Sequence, residues 1–122
     1  MCKRFVIHIH SGFSETHYDL MLQQGPDQPL ATWQLLSPPE LLAAGQQMPA
    51  RRIQDHRQAY LDYQGPVSKG RGSVQFLDRG QYELLYADQG RWSVRLDGTL
   101  LKGPYELLRT DQQTDQWTLR RL

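Results

Sequence analysis

The feature that most constrains this chain is a two-residue hydrophobic rhythm, repeated in short runs along its length. Phe5, Ile7 and Ile9 alternate with Val6, His8 and His10, and Tyr18, Leu20 and Leu22 alternate with His17, Asp19 and Met21. Successive side chains of an extended strand point to opposite faces, so each run predicts a strand with one face turned to a core. Val74 and Phe76, Tyr82 and Leu84, Trp92, Val94 and Leu96, Tyr105 and Leu107, and Trp117 and Leu119 repeat the pattern. Turn chemistry separates these runs at Asp78-Arg79-Gly80, Asp88-Gln89-Gly90, Asp97-Gly98 and Lys102-Gly103-Pro104. The expected fold is mainly β: a small closed or nearly closed antiparallel β-barrel with one or two short helices. Ser37-Pro38-Pro39-Glu40 predicts the start of one helix, with Ser37 as cap and a fade near Gly45. A second helical turn or an ordered loop is expected between Arg51 and Tyr63, where the apolar spacing is irregular.

At 122 residues the chain suits one core, and a single domain over residues 1–122 is expected. Cys2 stands alone, which excludes an internal disulfide and a CxxC metal knuckle and fits a reducing setting. No apolar run is long enough to span a membrane, and Met1–Ile9 lacks a signal-peptide core, so a cytoplasmic, unexported monomer with no membrane partner is expected. Charge is unevenly placed. Between Phe5 and Ala50 there are four carboxylates and no lysine or arginine, whereas from Arg51 onward twelve basic residues outnumber nine acidic ones. The first stretch suits a cation and the second an anion, although surface charge drifts along many sequences.

Alternation also places chemistry. If Phe5, Ile7 and Ile9 face the core, then His8 and His10 face out. If Tyr18, Leu20 and Leu22 face the core, His17 and Asp19 face out too. A hairpin of the two strands then gathers imidazoles and a carboxylate on one outer patch, where donors on adjacent strands can share a divalent ion and leave coordination sites open. Solvated histidines would give the same pattern. His56 follows Asp55 and lies near Arg51, Arg52 and Arg57, a setting that suits a phosphoryl oxygen.

These residues, in this order, resemble the 3′-phosphoesterase domain of bacterial ligase D, the multidomain ligase of DNA end joining. Phe5-Val6-Ile7-His8-Ile9-His10 and His17-Tyr18-Asp19-Leu20 are similar to that family's FVI-x-x-H and HYDL elements. Trp33 fits its tryptophan strand, and Asp55-His56, Tyr60 and Tyr63-Gln64-Gly65 resemble its DH-x-x-x-Y and F-E-G elements. Gly70-Arg71-Gly72-Ser73-Val74, Leu101-Lys102-Gly103 and Trp117-Thr118-Leu119 match its later strands. The resemblance implies a metal-dependent phosphoesterase that removes a 3′-terminal ribonucleoside and then a 3′-phosphate. Its implied cofactor is manganese, with zinc or cobalt as alternatives. Its implied partners are DNA primer-template 3′ ends, RNA-tipped ends among them, and an end-joining ligase or polymerase.

Carried over by position, His10, His17 and Asp19 match the metal ligands, His56 the histidine on the scissile phosphate, and Tyr60 a tyrosine needed for activity. Met21 departs from the pattern by standing where the fused domains carry a phosphate-binding arginine, and His8 stands where glutamine is usual. The fused domain's N-terminal arm is expected to be absent before Phe5. His8, Arg71 and Arg51 or Arg52 are the candidate phosphate-binding residues that remain, with Arg71 the favoured arginine for its flanking glycines. The same glycines would also serve a strand bulge with Arg71 solvated. Met21 also motivates a second reading, a catalytically weakened module that binds nucleic-acid ends, in which Met21→Arg should raise activity. A cupin-like oxygenase shares the ligand types only, because no histidine follows His56.

Overall fold

The computed structural model describes residues 3–122. Cys2, on which the expected redox setting rests, lies outside the described residues. Nine strands follow in order: β1 (Lys3–Ser11), β2 (His17–Leu22), β3 (Leu30–Leu35), β4 (Gln47–His56), β5 (Gly65–Pro66), β6 (Ser73–Ala87), β7 (Arg91–Asp97), β8 (Lys102–Arg109) and β9 (Gln116–Arg121). They hydrogen-bond in the order β1-β2-β3-β4-β9-β8-β7-β6, and antiparallel pairing of β1 with β6 closes the ring. The result is a closed eight-stranded antiparallel barrel, with β5 added outside along β6. Closure removes the unpaired edges that a strand-rich chain would otherwise expose.

The barrel interior holds most of the residues that the alternation assigned to a core, but not Phe76, which lies in the outer cluster. Phe5, Ile7, Leu20, Leu22, Tyr82, Val94, Leu96, Tyr105, Leu107, Trp117 and Leu119 form one buried cluster with Trp33. Trp33 stands edge-on to both Trp92 and Trp117, at ring separations of 5.2 and 5.5 Å, a geometry that aromatic quadrupoles favour. A smaller apolar cluster lies on the outer face: Val6, Met21, Leu30 and Leu61, with Tyr60 and Phe76 packed against it. Leu61 belongs to a 3-10 turn, Gln58–Asp62, which covers the outer side of β1, β2 and β3. The helical turn expected before Tyr63 is therefore present, while Arg51–His56 is strand.

Three expectations are corrected. The helix after Ser37 is a single 3-10 turn, Pro39–Leu41, with Pro38 at its cap position and no side-chain cap. Pro38 and Pro39 lack N–H groups, and Leu42 is already extended, so no α-helical ladder builds. Asp78-Arg79-Gly80 is not a turn but lies within β6. Asp78 is nevertheless bound to a turn, because its buried carboxylate accepts the backbone N–H groups of Arg79, Thr99, Leu100 and Leu101 at 2.8 to 3.0 Å. That pins the β7–β8 connection to β6. Lys102-Gly103-Pro104 likewise opens β8 instead of turning the chain, with Gly103 at φ +103°.

Of three bulges among the described residues, the two nearest the outer cluster change which face a side chain there occupies. On β6 the register with β1 slips at Leu77, so Ile7 faces Asp78 but His8 faces Phe76. A slip of one residue inverts the facing of everything beyond it. Phe76 thereby leaves the interior series of Tyr82 and joins the outer cluster. On β4 two residues, Gln54 and Asp55, span the place of one between the Thr32–Ile53 and Leu30–His56 pairs. Arg52 pairs with the interior Trp33, so an unbroken strand would turn His56 inward as well. The bulge turns it outward, beside Leu30.

Candidate functional site

Antiparallel pairing of β1 and β2 sets His8 opposite Asp19 and His10 opposite His17. The outer patch expected from alternation therefore exists. It is not open to solvent everywhere: His8, His17 and Asp19 are buried and His10 is partly so. One donor atom from each of His10, His17 and Asp19 lies within 4.8 Å of the others. His17 Nε2 is 3.5 Å and His10 Nδ1 3.9 Å from Asp19 Oδ2, and the two rings are 4.7 Å apart.

The second nitrogen of each ring is already committed. His10 Nε2–H donates to the Arg71 carbonyl at 2.7 Å, and His17 Nδ1–H donates to the Glu15 carbonyl at 3.1 Å. A carbonyl can only accept, so each bond fixes the proton on that nitrogen and turns the other nitrogen's lone pair toward Asp19. Asp19 Oδ1 is buried without a hydrogen-bond partner. A buried carboxylate so poorly compensated is costly unless a cation or proton meets it. With no cation present, the protonated His17 ring, whose Nε2–H would then donate to Asp19, is favoured by that hydrogen bond, and the imidazole pKa lies above its ordinary value against the opposing effect of burial. The donor set fits one divalent ion: two neutral imidazole nitrogens, one carboxylate, and backbone acceptors behind both rings.

His56 and Tyr60 stand beside this cluster on the outer face. His56 Nδ1–H donates to the Gln54 carbonyl at 2.8 Å, leaving Nε2 for a ligand. The Tyr60 ring meets His56 edge-on at 5.8 Å and His8 at 5.9 Å. Burial is the chief cause that pushes His8 down to about 4, with Asp19 opposing it. His8 is therefore a neutral imidazole at ordinary pH, packed between Tyr60 and Phe76, and its buried Nε2 has no partner.

The remaining candidates separate. Arg71 reaches the cluster through its backbone carbonyl, while its guanidinium donates to the Ser68 carbonyl at 2.9 Å and to Ser68 Oγ at 3.3 Å. Arg52 is not brought to the cluster. Its guanidinium bonds Asp55, Thr32 and Ile53, lies 4.7 Å over the Trp33 ring, and lines a cavity of about 450 Å³ with Trp92, Arg109 and Trp117. Met21 is fully buried in the outer apolar cluster. Sequence reasoning missed the carbonyls of Glu15, Gln54 and Arg71, since backbone acceptors leave no residue-type signal; only the paired glycines Gly70 and Gly72 hinted that the chain comes close there.

Barrel and cluster together define a small β-barrel protein with a two-histidine, one-carboxylate centre on its outer wall. Residues 8–109 match the family model of the DNA ligase D 3′-phosphoesterase domain. The chain belongs to that family. It is also 31% identical, over 95% of its own length, to the multifunctional non-homologous end joining protein LigD of Pseudomonas aeruginosa, of which it spans 14%.

Proposed function

We propose that the chain is a metal-dependent phosphoesterase that heals DNA 3′ ends in end joining, removing a terminal 3′ ribonucleoside and a 3′-phosphate. The observation that carries this reading is the convergence of His10, His17 and Asp19, each histidine oriented by a backbone carbonyl. Membership of the ligase D 3′-phosphoesterase family supports the choice of substrate.

In this mechanism His10 Nδ1, His17 Nε2 and Asp19 would hold a divalent ion, with manganese first and zinc or cobalt as alternatives. When bound, the ion supplies positive charge to a phosphoryl oxygen and lowers the pKa of a water. His56, with Nδ1–H fixed on Gln54, presents Nε2 to the phosphoryl group, where its protonated form donates to an oxygen or to the leaving group. Tyr60 borders both His56 and His8 and orients the phosphate between them. Burial keeps His8 neutral, so it serves as a hydrogen-bonding partner and not as a fixed positive charge. The Arg71 guanidinium, on the turn that supplies the carbonyl for His10, contributes positive charge at the rim.

The experiment is incubation of the protein with manganese and a primer-template ending in one 3′ ribonucleotide or a 3′-phosphate. Shortening to a 3′-hydroxyl, abolished by chelator, supports the reading; no product, while a ligase-fused domain works alongside, defeats it. The burial of Met21, which leaves no cationic side chain at that strand position, favours a second reading as an end-binding module without turnover. Low-salt affinity for DNA ends with no product would select that one. An end-joining ligase or polymerase is the proposed protein partner.

A further inference from the structure

Beside the cluster lies a cavity of about 240 Å³ lined by Arg57, Ala59, Tyr60, Tyr63, Pro66 and Ser68. It adjoins the proposed reaction centre on two sides. The Tyr60 wall is in edge contact with His56 and His8. The Ser68 wall holds the Arg71 guanidinium, and the Arg71 carbonyl holds His10. Tyr60 and Tyr63 meet edge-on at 5.8 Å, so two aromatic rings at a steep angle line one space. Tyr63 is partly exposed, and its hydroxyl donates to the Pro66 carbonyl, which fixes the ring. Arg57 stands 5.6 Å over the Tyr60 ring.

We infer that this cavity is a subsite for the unpaired nucleobase of the nucleotide that carries the reacting 3′ phosphate ester, stacked on Tyr63 and flanked by Arg57 and Arg71. The inference rests on the phosphoesterase reading in placing a DNA 3′ end at the cluster. Aromatic rings beside guanidinium groups are the chemistry by which proteins hold single-stranded nucleic acid with little sequence preference, because every base offers a π face. Sites for drug-sized ligands run from about 300 Å³ upward, so this smaller space takes one ring system. A base still paired in a duplex cannot enter a space walled by Pro66 and Ser68. The subsite therefore selects ends whose last base is unpaired or frayed, a specificity that the metal ligands alone do not supply.

The test uses metal-free protein and an oligonucleotide carrying 3′-terminal 2-aminopurine, whose fluorescence falls on stacking. Wild type should quench it. Tyr63→Ala and Tyr63→Leu should bind about tenfold or more weakly without quenching, and Tyr63→Phe should restore both. An oligonucleotide with an abasic 3′ terminus should bind wild type and Tyr63→Ala alike. No binding, unquenched binding, or quenching that persists in folded Tyr63→Ala and Tyr63→Leu overturns the subsite. None of these readouts needs turnover, so a protein that quenches but never trims overturns the phosphoesterase reading and leaves the subsite standing.

Discussion

The His17 imidazole is held between two oxygens: the Glu15 carbonyl takes its Nδ1–H at 3.1 Å, and Asp19 Oδ2 faces its Nε2 at 3.5 Å. His10 repeats the arrangement with the carbonyl of Arg71. Backbone behind both rings makes the centre depend on two loops as well as on the hairpin that bears the ligands.

Gly72 tests that dependence. Its φ is +75°, and a Cβ built there would lie 2.1 Å from the Ser11 carbonyl oxygen. Gly72→Ala must move the turn that presents the Arg71 carbonyl to His10. Manganese affinity, followed by titration calorimetry, should fall by roughly 10- to 100-fold, the range found when an outer partner of a ligand is lost. Stability should fall by about 2 kcal/mol or more from the strained left-handed backbone. Unchanged affinity would show that the carbonyl does not orient His10.

Met21→Arg is expected to destabilise the protein by about 3 kcal/mol or more, because the guanidinium would replace a fully buried side chain among Val6, Leu30 and Leu61. Urea unfolding measures this directly. The outcome reverses what residue type alone suggests at this position, where an arginine looks like a restored phosphate ligand. Met21→Leu, which preserves volume, should cost under about 1.5 kcal/mol.

Asp78→Asn should cost about 3 kcal/mol. The carboxylate accepts four backbone N–H groups, two on each oxygen, and an amide nitrogen cannot accept the two that would face it. The urea midpoint should fall with little change in slope. An unshifted midpoint would contradict the pinning of the β7–β8 connection by this residue.

Arg4 forms a two-pronged pair with Asp62, fastening the Gln58–Asp62 turn to β1. That hydrogen bond is the first cause holding the Asp62 carboxyl below its ordinary value. A depressed carboxylate pKa stabilises the fold above the unfolded value, near 3.9, and the contribution is lost as pH falls through the lower folded value. The pair is exposed, so its worth is under about 1 kcal/mol. Asp62→Asn should therefore be slightly less stable than wild type at pH 7, and the gap should narrow toward pH 3. A gap independent of pH would assign the effect to packing.

What was legible in the sequence, and what was not, follows from the physics of each element. The β1–β2 hairpin could be read because alternation fixes facing with no knowledge of neighbours, so His10, His17 and Asp19 fall on one side by counting. The bulges at Leu77 and at Gln54-Asp55 could not, since a one-residue slip is settled by the partner strand. Asp78-Arg79-Gly80 has turn composition, yet Gly80 sits in mid-strand, where a Cβ would lie 2.1 Å from the Asp97 carbonyl oxygen. The cover over Val6 and Met21 depends on Leu61, some forty residues downstream of β2, which no local pattern announces.

Anomalous diffraction from a manganese-soaked crystal tests the central claim most directly. One peak about 2 Å from His10 Nδ1, His17 Nε2 and an Asp19 oxygen, absent from crystals of Asp19→Asn, is the predicted result. A wild-type crystal with no peak there, or with the ion held elsewhere, would contradict it.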